Sequence, residues 1–112
     1  MNGYGEFYWK DGKKYFGYHN NDKKNGFGIF FWPNEKFYVG FWKDGKQNGI
    51  AKFIKGNIVK FGIWKDGKKD RCFNNENEFY MEMKNNEQKF IKFFKMNIGE
   101  IKNFFEIEES IN

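Results

Sequence analysis

A twelve-residue phrase, YVGFWKDGKQNG, runs from Tyr38 to Gly49. Near copies start at Tyr15 (YFGYHNNDKKNG) and Lys60 (KFGIWKDGKKDR), so the first positions recur 23 and 22 residues apart. A period of this size marks a stack of supersecondary units, each too small to bury its own apolar face. No other feature constrains the fold so strongly. The chain has 112 residues, enough for one small domain.

Each unit reads as two short strands, Tyr38–Trp42 and about Asn48–Ile54 in the clearest copy. Asp44-Gly45 between them is a strong two-residue hairpin signal, because both positions of a type I′ turn need positive φ. Asp66-Gly67 repeats it, and Asn21-Asp22 substitutes for it. Lys10-Asp11-Gly12 and Pro33-Asn34-Glu35 suit three-residue loops between units, whereas Gly56-Asn57 suits a two-residue turn. Counting outward from these turns sets Gly40 opposite Gly49 and Gly17 opposite Gly26. The same count sets Gly5 opposite Gly17, Gly28 opposite Gly40, and Ala51 opposite Gly62. The expected fold is all-β, an elongated single-layer antiparallel meander of hairpin repeats with a stripe of glycine across its middle. Tyr15, Phe30, Tyr38, Trp42, Phe53 and Trp64 share the glycine face, where bare backbone leaves room for rings to lie flat.

The pattern Tyr-x-Gly-x-Trp-x-x-Gly-x-x-x-Gly-x-Gly resembles the MORN repeat (membrane occupation and recognition nexus). Tyr38, Gly40, Trp42, Gly45 and Gly49 carry it, with Ala51 standing for the last glycine. Tyr15, Gly17, Gly26 and Gly28 match in the preceding copy, and Gly62, Trp64 and Gly67 in the following one. The resemblance spans about residues 3–71. It implies a repeat region that is not itself catalytic and that serves as a binding, dimerising or scaffolding module at membranes, cilia or cytoskeleton. It also implies two alternatives: an adaptor for anionic phospholipid, or the regulatory region of a larger enzyme.

Departures from the pattern are informative. His19 replaces the Trp of the first full copy, Lys60 the Tyr of the third, and Arg71 a Gly. The chain starts in the second half of a unit, which suits either a fragment or an open edge strand. The face opposite the glycines, usually polar in the family, here reads Phe16, Tyr18, Phe27, Ile29, Phe31, Val39, Phe41, Ile50, Ile54, Phe61 and Ile63. So large an apolar surface needs a cover, either residues 73–112 or a partner chain.

Residues 1–72 divide into about three repeats, the first partial, and residues 73–112 into a degenerate repeat or capping segment. Phe90, Phe94 and Asn97 can be laid over Tyr38, Trp42 and Gly45 as a fourth copy. The stretch from Gly99 to Ile111 fits a helix or a strand, and the preceding β pattern favours continued strands.

Catalytic hardware is scarce. The chain has one Ser (Ser110), no Thr, one His (His19) and one Cys (Cys72). His19 and Cys72 fall several strands apart, beyond the reach a nucleophile and its base require. No metal cluster, cofactor or small-molecule substrate is expected. Asp11, Asp44 and Asp66 sit where turns favour Asp for local reasons. One Cys excludes an internal disulfide, and no apolar run approaches the length of a membrane span. An intracellular, cytoplasmic protein is therefore expected, and the MORN resemblance adds a place peripheral to a membrane or cytoskeleton.

Charge is uneven. Residues 1–72 hold 15 basic and 7 acidic side chains, residues 73–112 hold 5 and 8. Only Arg71 among the basic residues is Arg, which argues against sequence-specific nucleic-acid reading. Lys43, Lys46, Lys65, Lys68 and Lys69 gather at turns on one edge and are the candidate lipid contacts. Tyr15, Tyr38, Trp42, Phe53 and Trp64 are the candidate contacts for a protein partner or a second copy of the chain.

Overall fold

The computed structural model describes residues 2–105. Seven strands form one open antiparallel sheet in sequence order. They are β1 (Gly3–Tyr8), β2 (Lys14–Asn20), β3 (Lys23–Trp32), β4 (Lys36–Lys43), β5 (Lys46–Lys55), β6 (Ile58–Lys65) and β7 (Lys68–Cys72). The turns are those the dipeptides demand. Asp44 and Gly45 have φ of 50° and 84°, Asp66 and Gly67 49° and 85°. Asn21 and Asp22 adopt the same left-handed pair, tolerable because their short polar side chains tolerate αL. Glu35 closes the Pro33-Asn34-Glu35 loop at φ 59°.

One part of the register differs from the expectation. Gly17 pairs with Gly28, not Gly26, and Gly40 pairs with Ala51, not Gly49. The turn register holds as far as Trp42↔Gln47, then shifts before Gly40↔Ala51. The shift is centred on Gly49, whose φ of 112° only glycine adopts readily. Gly26 does the same in the preceding unit, at φ 96°. These are β-bulges. Each moves the pairing by two residues, so no side chain changes face, whereas a slip of one would flip them all. The result is an unbroken row: Gly5, Gly17, Gly28, Gly40, Ala51, Gly62.

The bulges also explain the repeated tyrosine. Tyr38 Oη donates to the carbonyl of Phe41 at 2.7 Å, and Tyr15 Oη to that of Tyr18 at 3.0 Å. Both acceptors lie where the ladder is interrupted, so the hydroxyl takes a carbonyl the sheet leaves open. Burial pushes both phenols well above their usual pKa. Tyr38→Phe is therefore expected to cost about 1–2 kcal/mol, read as a lower urea midpoint with unchanged slope. An unshifted midpoint would show that the carbonyl finds another donor.

Repeats are locked edge to edge by an asparagine that the phrase alone hides. Asn2, Asn25 and Asn48 each precede a left-handed glycine. Their Oδ1 atoms accept from the backbone N–H of Asn21 (2.8 Å), Asp44 (3.2 Å) and Asp66 (3.4 Å), each in the next turn along. Gly45 and Gly67 N–H groups add bonds to the Lys24 and Gln47 carbonyls, both at 2.8 Å. The turns therefore stack along one edge.

The second apolar face is covered by the chain itself. Residues beyond β7 form α1 (Glu76–Glu82), a 3-10 turn (Asn85–Phe90), α2 (Ile91–Phe94) and α3 (Ile98–Phe104). Phe79, Phe94, Ile101 and Phe105 are buried against Phe16, Phe27, Ile29, Val39 and Ile54. Phe90 stacks on Phe27 with centroids 4.3 Å apart, and Phe105 lies 4.2 Å from Phe16. Continued strands and a fourth hairpin over Phe90, Phe94 and Asn97 are thus corrected to helix. Asn97 caps α3, its Oδ1 accepting from Glu100 N–H at 2.9 Å while Glu100 reaches back to Asn97 N–H. That capping box decides the local structure against a turn. The remainder of the strand reading, and Ser110, fall outside the described residues.

Candidate functional site

With one face packed, the glycine face is the uncovered one. Tyr15, Phe30, Tyr38, Trp42, Ala51 and Trp64 form a separate apolar cluster there, edged by half-buried Trp32 and Phe53. No helix among the described residues packs on it. Tyr38 contacts Trp42 and Trp64 edge-on at 4.8 and 5.3 Å, the arrangement favoured by ring quadrupoles. Trp42 Nε1 donates to the Gly28 carbonyl at 3.3 Å.

The five candidate partner contacts do not present equally. Tyr15 and Tyr38 are fully buried within the face, Trp42 and Trp64 nearly so, and Phe53 is half-buried. The first four build the floor on which anything could rest, and Phe53 offers side-chain surface directly. Exposed rings that sequence reading passed over stand at the N-terminal side: Phe7 and Trp9 at 38% and 42%.

Lysines crowd this face. Lys24 Nζ lies 5.2 Å from the Trp42 ring centroid and 5.5 Å from that of Phe30, and burial lowers its pKa. Lys36 Nζ stands 4.5 Å from the Trp32 centroid, within cation–π range. Neither was singled out from sequence, although each sits in the alternation that places Phe30 and Tyr38. Of the five candidate lipid lysines, all are exposed. Lys43 pairs directly with Lys46, and Lys65 with Lys68, across their turns, while Lys69 faces Trp64 on the glycine face. The hollow between the two turns also holds Asp44, Asp66 and Asp70, so its field is mixed in sign.

His19 fills the position of Trp42 and Trp64 in its own unit. It packs 4.7 Å from Phe7 and 5.0 Å from Tyr15, with Nδ1 buried and unpartnered. Burial and then the neighbouring Lys24 ammonium lower its pKa below the usual 6.5. The unfolded chain therefore takes the proton first. This contribution to stability is complete above about pH 6.5 and is lost as pH falls through the lower folded value. Replacing His19 with Trp is expected to flatten the fall in urea midpoint between about pH 7.5 and 5; equal slopes in both proteins would exclude this role. Cys72 is exposed on β7, five strands from His19, or roughly 24 Å at ordinary strand spacing. Among the described residues no group of three or more His, Cys, Asp or Glu could hold a metal ion. Among them, too, no helix is long and apolar enough to cross a membrane.

On the covered face Lys52 is the residue that sequence reading missed. It lies between Ile50 and Ile54, where the alternation calls for an apolar side chain, yet it is buried. Its Nζ donates to the carbonyls of Phe94 at 2.9 Å and Met96 at 2.8 Å.

The family profile described as MORN repeat matches residues 1–14, 15–36 and 38–57, with unit starts at Tyr15 and Tyr38 that coincide with the phrase. The chain belongs to the MORN-repeat family. The match ends before β6, yet the β6–β7 hairpin keeps the Asp-Gly turn and the asparagine lock. No curated protein matches the chain. MORN repeats are known in modules that meet proteins or membranes, and the fold is typically non-catalytic.

Proposed function

We propose that this chain is a non-catalytic interaction module that seats a protein partner on its glycine-and-aromatic face. One observation carries the reading: residues 73–105 cover the opposite apolar face, and this face keeps its aromatic cluster open. A repeat sheet with one face closed by its own helices has one broad surface left for recognition. Its place is a cytoplasmic assembly, at a membrane or the cytoskeleton. The test is purification of the protein from its native cell beside a Trp32→Ala/Phe53→Ala variant. Partners retained by the first and lost by the second support the module. Identical partner sets would move recognition away from this face.

The stacked lysine turns favour a second reading, an anionic-lipid adaptor. Lys43, Lys46, Lys65 and Lys68 lie at adjoining turns, and each lysine near an anionic surface contributes about 1 kcal/mol. Flotation with phosphatidylserine vesicles tests it; absence of binding at low salt rules it out.

A further inference from the structure

We infer that the β5–β7 end of the glycine face binds an acidic protein segment carrying one apolar anchor residue flanked by carboxylates. This rests on the interaction-module reading and names the chemistry of its partner. A cleft of about 290 Å3 opens there, lined by Phe53, Lys55, Ile58, Lys60, Trp64 and Lys69. Its middle is apolar and its rim is ammonium. Lys60 lies directly opposite Phe53, and Lys69 opposite Trp64. Lys36 and Lys55 face each other across β4 and β5, and Lys36 Nζ also reaches to 5.9 Å from the Phe53 centroid.

Within the strands that carry these lysines, β4 to β7, Asp70 of β7 is the single acidic residue. Strands β2 through β6 contain no Asp or Glu at all. Among the described residues, Lys36, Lys55, Lys60 and Lys69 form no ion pair. Like charges directly opposite in a ladder are destabilising, so the free protein carries a repulsion that an anionic partner relieves. Complementary charge of this kind sets specificity and speeds encounter more than it adds raw affinity.

The shape separates a peptide from a lipid surface. A membrane is met by projecting apolar side chains, whereas this cleft is concave and sized for one large side chain or two small ones. An extended segment laid along the strands places alternate side chains toward the sheet. Its anchor would fall between Phe53 and Trp64, with carboxylates over Lys55 and Lys60 on one side and Lys69 on the other.

The experiment uses fluorescence anisotropy with a dye-labelled peptide of sequence DEFED, its neutral counterpart NQFQN, and phosphatidylserine vesicles as a third probe. The acidic peptide is expected to bind, and to weaken strongly between about 0.05 and 0.5 M salt. Lys55→Glu/Lys60→Glu is expected to weaken it by about tenfold or more. Lys89→Glu/Lys92→Glu, exposed on the helical cover of the opposite face, is expected to leave it within about twofold. Both variants change exposed side chains, and circular dichroism confirms their folding. Equal binding of the neutral peptide overturns the acidic assignment while the module reading survives. Binding to vesicles alone, binding to nothing, or insensitivity to Lys55→Glu/Lys60→Glu overturns it as well. Partners lost from the native cell in the Trp32→Ala/Phe53→Ala variant remain a separate result.

Discussion

Gly40→Ala is expected to destabilise the fold by about 3 kcal/mol or more, enough to unfold much of a marginal domain. A methyl at Gly40 would collide with the Cβ of Ala51, and would lie 2.7 Å from both the Ala51 Cα and the Ile50 carbonyl oxygen. Two of these are backbone atoms of the neighbouring strand, and they can yield only if β4 and β5 separate. Gly45→Ala makes the instructive comparison. Its Cβ meets nothing within 4 Å, but its φ is 84°, so only the left-handed conformation counts against it, at about 1 kcal/mol. Ala51→Gly in the Gly40→Ala background removes the side-chain collision and leaves the backbone ones, so rescue should be partial. Guanidinium unfolding of the four proteins measures all of this. A Gly40→Ala protein as stable as the Gly45→Ala protein would mean that the stripe is not set by close approach.

The glycine stripe was legible in the sequence because fixed offsets and turn dipeptides determine it. Both faces of the sheet, every turn and three of five glycine pairings follow from that count. The bulges at Gly26 and Gly49 did not, since a glycine in a strand reads the same whether it clears space or takes positive φ. Asn25 and Asn48 carry no mark of their role in the sequence, and their bonds to the next repeat appear only once the turns stack. The helices were harder to see. Asn75 and Asn97 each stand three residues before a glutamate, the mark of a helix start, but the aromatic run between them suits strand and helix equally. What decided the matter was tertiary: Phe79, Phe94, Ile101 and Phe105 bury their rings and chains on the sheet, and short helices present such residues on one side.

The shared face of the candidate residues was legible in the sequence, and their depth in that face was not. Sequence placed Tyr15, Tyr38, Trp42, Phe53 and Trp64 on one face, and they are on one face. It could not tell that rings lying over glycine are consumed as floor. On the proposed reading, recognition would fall to what surrounds them, to Trp32, Phe53 and the lysines. The charge pattern fits that reading. The covered face gains a buried lysine, Lys52, whose ammonium donates to two carbonyls of the chain, while Lys36, Lys55, Lys60 and Lys69 on the open face form no ion pair among the described residues. A single residue type thus does opposite work on the two sides of one sheet.

Lys52→Met tests the covered side and is expected to loosen the helical layer without unravelling the sheet. The methionine keeps the apolar stem over Phe61, whose ring centroid lies 5.7 Å from the ammonium. It removes only the donors. The Phe94 carbonyl retains a weak bond from Tyr80 Oη at 3.4 Å, and the Met96 carbonyl is left to find solvent. Bonds from a charged donor contribute about 1.5–3 kcal/mol each. The desolvation that lowers the pKa of Lys52, opposed by the charges of Glu76 and Glu100, offsets part of that. A net loss of about 2–3 kcal/mol remains. Because both acceptors lie at the end of α2 and just beyond it, the loss should be local. Amide hydrogen exchange should quicken across 91–104, while strands β3 to β5 keep their protection. Lys52→Arg, which can still donate, should fall between the two. Unchanged exchange in 91–104 would mean that apolar contact alone holds the helices down. Equal loss in sheet and helices would mean that the glycine face depends on its cover, so that exposing one side of the sheet dismantles the other.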